Sequence, residues 1–185
     1  MVDASKGLAH ALAITRAGGI DLRLVHLVRD ARGVAFSWAK SGVERPHAAS
    51  TSLSTFDTEF SAFHWTVLQT EIALAKRQFT SSTRIRYEDL VRRPADELSR
   101  ALTEIGFPVT PAELGHIDGT SVDLPASHGL SGNPSRFRQG VQELRLDEQW
   151  RRDMTRWDRA KATTIALVPL AAHGYLSRHR TQVST

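Results

Sequence analysis

The stretch from Leu22 to Lys40, LRLVHLVRDARGVAFSWAK, changes its hydrophobic period in the middle. Its first part, through the run VHLV at 25–28, is typical of a strand that is apolar on both faces. Such strands occur inside parallel sheets that helices cover on both sides. From Ala31 onward the apolar residues fall one helical turn apart, and Asp30 is placed to cap that helix. The order predicts an α/β fold with a parallel sheet and flanking helices.

Charged and polar residues lie where this strand meets its helix. Arg29 stands at the junction, and Ser37 lies on the helix face that includes Gly33. Ligands of open α/β sheets collect at the carboxyl ends of the strands, where helix N-termini present free N–H groups. A guanidinium and a hydroxyl at this place can hold one phosphate, with Gly33 leaving room and Lys40 extending the face. The stretch also allows Arg29 to pair with a neighbouring carboxylate and Ser37 to be a solvated helix serine.

The composition is that of a soluble globular protein, and its positive net charge suits an anionic ligand and nucleic acid equally. The chain has 185 residues, 41% of them hydrophobic and 24% charged, which suits a single packed domain. The net charge is +4, and only four of the 24 basic residues are lysines. Arginine favours bidentate contact with phosphate or sulfate. The absence of cysteine excludes disulfides and thiol chemistry and is compatible with the cytoplasmic location that we expect.

Two classes of site are not expected. No apolar run approaches the length of a membrane-spanning helix, and the first six residues lack the features of a secretory signal. The eight histidines show no ligand spacing, so no metal site is predicted. We therefore expect neither a membrane nor a metal ion among the ligands.

Helical periods flank the central stretch. A first helix is predicted from Leu8, with Gly18 and Gly19 ending it. Residues 41–58 have no period and predict a long loop. A long helix follows, and we expect the aromatic residues of its apolar stripe to be core rather than a cofactor-binding surface. The stripe comprises Phe56, Phe60, Phe63, Val67, Leu68, Ile72 and Leu74.

A second strand with a polar end is predicted over residues 83–87, and Tyr87 closes it. The adjacent Glu88 and Asp89 are interpreted as structural, because paired carboxylates would repel an anionic ligand. A helix is predicted from Pro94 to Ile105, with acidic residues in its first turn.

A basic loop and two helices complete the predicted order. Pro125 to Gly140, PASHGLSGNPSRFRQG, carries Arg136 and Arg138 and almost no apolar anchor, so we expect an anion to order it. After it, a helix opened by Asp147 and Glu148 is predicted to place its large apolar residues on one face. They are Trp150, Met154 and Trp157. A last helix is expected to kink or pause at Pro169.

Three stretches resemble the sulfotransferases that use 3'-phosphoadenosine 5'-phosphosulfate: LVRDARGVAFS, RIRYEDLVRRPADELSRALTEIGFP and HGLSGNPSRFRQG. The resemblance covers nearly the whole chain. It implies a P-loop-NTPase-like parallel sheet with flanking helices, truncated at its N-terminus, and one partial sulfotransferase domain over residues 1–185. The implied reaction moves a sulfuryl group from this nucleotide to a hydroxyl or amine of a small-molecule acceptor.

The same resemblance implies roles for individual residues. It places Arg29 and Ser37 on the 3'-phosphate, Tyr87 against the nucleotide, and Lys6 as the catalytic residue near the sulfuryl group. The residues themselves equally allow Tyr87 to be a tyrosine buried at a strand end and Lys6 to be an exposed lysine at a helix start. In the basic loop, the residues implied to close over the 3'-phosphate are Arg138, Gln139 and Gly140.

The sequence departs from the family pattern in two ways. It lacks the family's loop for the 5'-phosphosulfate, and Gly7 follows Lys6 where some members have a catalytic histidine. We therefore expect a fragment with weak or no turnover by itself, and the general base and oligomeric state stay open. The alternative is a non-catalytic nucleotide- or partner-binding remnant of the fold. Nucleic acid is not expected as a partner, because the aromatic residues lie in helical stripes and not between basic residues.

Overall fold

The structure, a computed structural model, describes residues 7–40, 56–125 and 139–176. Its residues cluster into two compact units, each made of several chain segments. Among the described residues, the first unit comprises 7–29, 71–125 and 139–147, and the second comprises 30–40, 56–70 and 148–176. The interpretation of residues 1–185 as a single domain stays a prediction.

The first unit contains a two-stranded parallel sheet. Strand β1 (Arg23–Val28) pairs with β2 (Ser81–Arg86), in a register that puts Arg23 opposite Ser81 and Val28 opposite Arg86. The predicted α/β class with parallel pairing is therefore confirmed at this coarse level. Both strands fall within two residues of their predicted bounds.

The expectation that β1 is buried on both faces is wrong. Val28 is buried, but Val25 is 42% and Leu27 is 53% exposed. Their register partners on β2 are the buried Thr83 and Ile85. Helix α5 (Pro94–Glu104) packs against β2. The helix covers the side chains of β2 on this face of the sheet, whereas the apolar side chains of β1 on the same face stay half exposed.

Of three α-helices in the first unit, two follow local signals in the sequence and the third, α4 (Tyr87–Arg92), is not predicted. Helix α1 (Leu8–Ala17) ends at Gly18, whose φ of 76° suits glycine. Helix α4 starts directly after β2, so Tyr87 opens a helix rather than closing a strand. Proline and two acidic residues occupy the first turn of α5, as predicted. A short 3-10 turn, Lys76–Gln78, precedes β2.

A three-stranded antiparallel sheet in the first unit was not predicted. It consists of β3 (Ile117–Asp118), β4 (Ser121–Leu124) and β5 (Gly140–Glu143), with β4 in the centre. Gly119, at a φ of 57°, lies in the tight turn between β3 and β4. Each strand has at most four residues, which is too short for a clear alternating pattern.

The second unit is helical. Its elements are α2 (Ala31–Ala39), the first part of α3 (Thr58–Ala75), α6 (Gln149–Asp153), α7 (Arg156–Ile165) and α8 (Leu167–Ala172). The Asp30 carboxylate accepts a hydrogen bond of 2.9 Å from the Arg32 backbone N–H, which confirms the predicted cap. The buried core of this unit is formed by Ala35, Ala62, Trp150, Met154 and Ala162.

The expectation that the aromatic stripe of α3 is core is wrong for its phenylalanines. Phe56, Phe60 and Phe63 are 40%, 48% and 60% exposed. The buried side of the helix is lined instead by Ser61, Ala62, Trp65 and Gln69. Apolar residues lie all around α3, so their spacing alone does not identify the packed side.

The two C-terminal helical predictions also need correction. Trp150 and Met154 are buried, but Trp157 is exposed because the chain leaves the helical conformation between α6 and α7. Thr155 caps α7 by accepting a hydrogen bond of 3.1 Å from the Asp158 N–H, so the predicted single helix becomes two. The last predicted helix is interrupted at Ala166, between α7 and α8, rather than at Pro169.

Candidate functional site

Arg29 and Tyr87 come together at the edge where the two parallel strands end. Arg29 directly follows β1, and Tyr87 directly follows β2. Val28 lies opposite Arg86 in this parallel pair. Arg29 and Tyr87, the residues that follow, therefore lie at the same edge of the sheet. The Arg29 guanidinium carbon lies 4.8 Å from the centroid of the Tyr87 ring. This distance is within the range of a cation–π contact.

Asp147 completes the group. Nη2 of Arg29 donates hydrogen bonds of 3.0 Å to both the backbone oxygen and Oδ2 of Asp147. The Asp147 backbone N–H donates to the Tyr87 hydroxyl at 3.4 Å, and that hydroxyl donates to the Arg145 carbonyl at 3.5 Å. One guanidinium thus contacts an aromatic face and a carboxylate at the end of β1. Of the two roles that the sequence left open for Arg29, the structure shows the ion pair with a carboxylate.

The Arg29–Asp147 pair is partly open to solvent. The side chain of Arg29 is 23% exposed and that of Asp147 is 40% exposed. Pairs of this kind stabilise a protein by only about 0.2–1 kcal/mol, because water screens the attraction. A phosphate offers a guanidinium more charge and more acceptor oxygens than a carboxylate does. The pair is therefore a weak one.

A second carboxylate lies near the same edge. Asp89 is 3.8 Å from Nε of Arg86 and 3.8 Å from Nη1 of Arg92. Its neighbour Glu88 is buried. Both placements agree with the structural role predicted for these two acids.

Two further predicted site residues lie at the start of strand β5 in the antiparallel sheet. Gln139 precedes β5, and Gly140 begins it opposite Leu124 with a φ of 74°. The Gln139 carbonyl accepts a hydrogen bond of 3.1 Å from the Gln142 side chain. Within the described part of the chain, no hydrogen bond joins either residue to Arg29. Their predicted role at the 3'-phosphate stays a prediction.

The remaining predicted residues lie in the second unit or outside the described residues. Ser37 lies on α2 in the second unit, one turn after the buried Gly33. Lys6 and Arg138 lie outside the described residues, as do positions 126–138 of the basic loop and 41–55 of the long loop. The structure thus joins Arg29 to Tyr87, and shared binding of one phosphate by Arg29 and Ser37 stays a prediction.

Asp147 is the site residue that sequence reasoning missed. It was interpreted only as part of a helix start, whereas α6 begins two residues later, at Gln149. It contacts Arg29 across 118 positions of the chain. Nothing in its local sequence marks that contact, because a single acid before a helix is an ordinary N-terminal signal.

Neither a metal centre nor a relative identifies this site. Among residues 7–40, 56–125 and 139–176, no group of three or more histidine and acidic side chains could hold a metal ion. No helix in these ranges is both long and apolar enough to span a membrane. The chain has no significant match to any protein-family model, curated protein or solved structure. Its function is therefore inferred from its own residues and motifs.

Proposed function

We propose that the chain is part of a sulfotransferase and binds 3'-phosphoadenosine 5'-phosphosulfate at the edge where β1 and β2 end. The observation that carries the proposal is the contact of Arg29 with Tyr87 at the carboxyl ends of two adjacent parallel strands. Such edges are where α/β proteins bind nucleotides. A guanidinium next to an aromatic ring suits a ligand that has both a phosphate and a planar base.

The proposal includes the finer fold and the domain assignment. In a P-loop-NTPase-like sheet, β1 and β2 would be two neighbouring parallel strands, as their register allows. Residues 1–185 would form one partial sulfotransferase domain. The support for this assignment is the resemblance of the three stretches LVRDARGVAFS, RIRYEDLVRRPADELSRALTEIGFP and HGLSGNPSRFRQG.

The proposed reaction requires positioning more than covalent help. The sulfur–oxygen bond to the donor's 5'-phosphate breaks while a bond forms to an acceptor oxygen or nitrogen, which loses its proton. Negative charge spreads over the transferred group and the leaving oxygen, so fixed cations and N–H donors stabilise the transition state. Lys6 is the residue proposed for the sulfuryl group. Those proposed for the 3'-phosphate are Arg29, Ser37, Arg138, Gln139 and Gly140.

Asp147 gives this site a competing anion. Nη2 of Arg29 cannot keep both of its bonds to Asp147 while it binds a phosphate oxygen along the same directions. Binding of the nucleotide would therefore replace a carboxylate by a phosphate at Arg29. The net gain is the difference between the two interactions, not the full strength of an arginine–phosphate pair.

The second candidate is a nucleotide-binding remnant of the same fold without turnover. The Arg29–Asp147 pair favours it, because a guanidinium that already has a carboxylate partner can serve a structural purpose. Both candidates predict nucleotide binding at Arg29, but only the first predicts transfer of a sulfuryl group to an acceptor.

Calorimetry with 3'-phosphoadenosine 5'-phosphate tests the shared part of both candidates. We expect Arg29→Gln to weaken binding about 2- to 100-fold, since charged hydrogen bonds contribute about 1.5–3 kcal/mol and the lost pair with Asp147 offsets about 0.2–1 kcal/mol of this. Arg77→Gln, which removes the same charge from the exposed 3-10 turn, should leave the affinity unchanged. Unchanged binding by a folded Arg29→Gln protein would refute the proposed site.

Donor-dependent sulfation of a panel of phenols, sugars and amines then separates the two candidates. Sulfated product that depends on Lys6 would support the enzyme. Nucleotide binding without any product would fit the remnant and also a fragment with no turnover by itself, so only product formation decides between the two.

A further inference from the structure

We propose that helix α7 carries a second anion site, for a tetrahedral dianion of phosphate or sulfate size. A shallow surface cavity of about 410 Å³, largely open to solvent, lies along this helix. The cavity is lined by Arg156, Arg159, Ala160, Thr163 and Thr164. The site lies wholly in the second unit and does not depend on the function proposed for the sheet edge.

The lining residues share one side of α7. Arg159 lies three positions after Arg156, and Thr163 lies four positions after Arg159, so the side chains follow each other at helical spacing. Two guanidinium groups and two hydroxyls line the cavity, and no carboxylate is among the lining residues. The one acid of α7, Asp158, accepts a hydrogen bond of 2.7 Å from Thr155 at the start of the helix.

Arg159 is oriented by neutral groups. Its Nη2 donates hydrogen bonds to the carbonyl oxygens of Arg151, at 2.6 Å, and Trp150, at 3.5 Å. Its guanidinium carbon lies 5.7 Å from the centroid of the Trp150 ring. These contacts fix the side chain without neutralising its charge. Within the described part of the chain, no carboxylate forms an ion pair with it.

Within the described residues, the other two guanidiniums over Trp150, unlike that of Arg159, form ion pairs with carboxylates. Arg32 pairs with Asp30 at 2.6 Å, and Arg151 pairs with Glu148 at 3.0 Å. Three arginines thus share one indole ring, and two of them have an acidic partner. The unneutralised charge belongs to the arginine that lines the cavity.

A buried donor of Arg159 also lacks a partner. Its Nε is shielded from solvent and forms no hydrogen bond in the part of the chain that the structure describes. A buried donor without an acceptor is unfavourable, so such groups in native proteins call for an explanation. An oxyanion bound at Nε would supply the missing acceptor through a charge-assisted hydrogen bond.

Arg156 and Thr164 provide the remaining donors. Arg156 lies one turn before Arg159, and Thr164 places a hydroxyl at the other end of the cavity. Thr163 already donates its hydroxyl proton to the Arg159 carbonyl at 2.7 Å, so it shapes the site without donating to the ligand. Two guanidiniums and one hydroxyl match the charge and acceptor number of a phosphate or sulfate dianion.

The test is a titration of the full chain with inorganic phosphate and with sulfate, followed through the arginine Nε–H signals in ¹⁵N NMR spectra. We expect the Arg159 signal to shift and saturate, with a weaker response to chloride at equal ionic strength. Arg156→Gln should weaken binding at least about fivefold, because it removes one of two charged partners. Arg152→Gln, an exposed arginine paired with Asp153, is the matched control and should change nothing.

Two further variants keep the result interpretable. Arg159→Lys retains the charge but removes Nε, so it should weaken binding even where the fold is intact. Arg77→Gln should leave the Arg159 titration unchanged, because Arg77 is an exposed arginine of the other unit. An Arg159 signal that does not saturate, an equal response to chloride, or loss of the response in Arg77→Gln would each overturn the proposal.

Discussion

The carboxylate of Asp147 lies 3.0 Å from Nη2 of Arg29, although 118 residues separate the two along the chain. The backbone oxygen of Asp147 is equally close to the same nitrogen. Asp147, which follows the antiparallel sheet, thus holds Arg29, which directly follows β1. Any anion that binds Arg29 has to compete with this acid.

Replacing Asp147 should therefore strengthen anion binding at Arg29. We expect Asp147→Asn to tighten binding of 3'-phosphoadenosine 5'-phosphate two- to fivefold, because exposed ion pairs contribute about 0.2–1 kcal/mol. Glu143→Gln is the matched control, since it removes the same charge from an exposed pair with Arg145. Calorimetry on the three proteins measures the effect. Weaker binding by Asp147→Asn would show that Asp147 positions Arg29 for the ligand instead of competing with it.

Tyr87 should act mainly through its ring. Tyr87→Leu removes the surface under the Arg29 guanidinium and should lower the free energy of unfolding by about 0.5–1 kcal/mol beyond the loss of burial. Tyr87→Phe keeps the ring and removes only two long hydrogen bonds, of 3.4 and 3.5 Å, so it should cost less than about 0.5 kcal/mol. Urea unfolding of both variants checks the order. Equal effects would mean that the hydroxyl, not the ring, supports the edge.

Glu104 should make the first unit sensitive to acid. Hydrogen bonds from the Thr83 hydroxyl and then from Arg100 lower the pKa of Glu104 below its ordinary value of 4.5. A lowered pKa means that the charged form is stabilised in the folded state. This contribution is present above pH 4.5 and is lost as the pH falls through the lower, folded-state pKa.

The measurement is the melting temperature of the wild type and of Glu104→Gln between pH 6 and pH 3. The variant should be slightly less stable near pH 6 and should lose less stability on acidification. Glu113→Gln is the comparison variant. Glu113 is exposed, and its pKa is lowered by hydrogen bonds from Thr110, which lies in the same local turn. Parallel curves for the wild type and Glu104→Gln would contradict the prediction.

Gly106 should be less tolerant of a side chain than Gly119. Both have positive φ, 83° and 57°, so alanine at either position should cost about 1–2 kcal/mol. A Cβ at Gly106 would also collide with Nη1 of Arg23, which donates a hydrogen bond to the Ile105 carbonyl, whereas no atom lies within 4 Å of a Cβ at Gly119. We expect Gly106→Ala to cost about 1 kcal/mol more, the value of the displaced hydrogen bond. Equal losses in denaturant unfolding would show that Arg23 moves aside freely.

Elements with strong local signals could be predicted from the sequence. Asp30 capped α2, Gly18 ended α1, and proline with two acids began α5, each as its local chemistry dictates. The parallel pairing of β1 and β2 followed from the order of strands and helices. Because parallel strands end at one edge, the meeting of Arg29 and Tyr87 is a result that the sequence could anticipate.

Features that depend on distant packing could not be predicted. The exposure of Leu27 depends on where α5 lies, and the exposure of Phe60 depends on which side of an apolar helix packs. The strands of the antiparallel sheet have too few residues for a period. Asp147 carries no local mark of its contact with Arg29, since only the fold brings the two together.

The parallel pairing of β1 and β2 has a consequence for synthesis of the protein. Arg23 pairs with Ser81, so α2 and α3 are translated between the two strands. At roughly 5–20 residues per second, β1 leaves the ribosome several seconds before its partner exists. During that interval its backbone edge is unpaired and Leu27 is fully open to other nascent chains. Chaperone capture should therefore concentrate on β1, and slower translation of α3 should lengthen the aggregation-prone period.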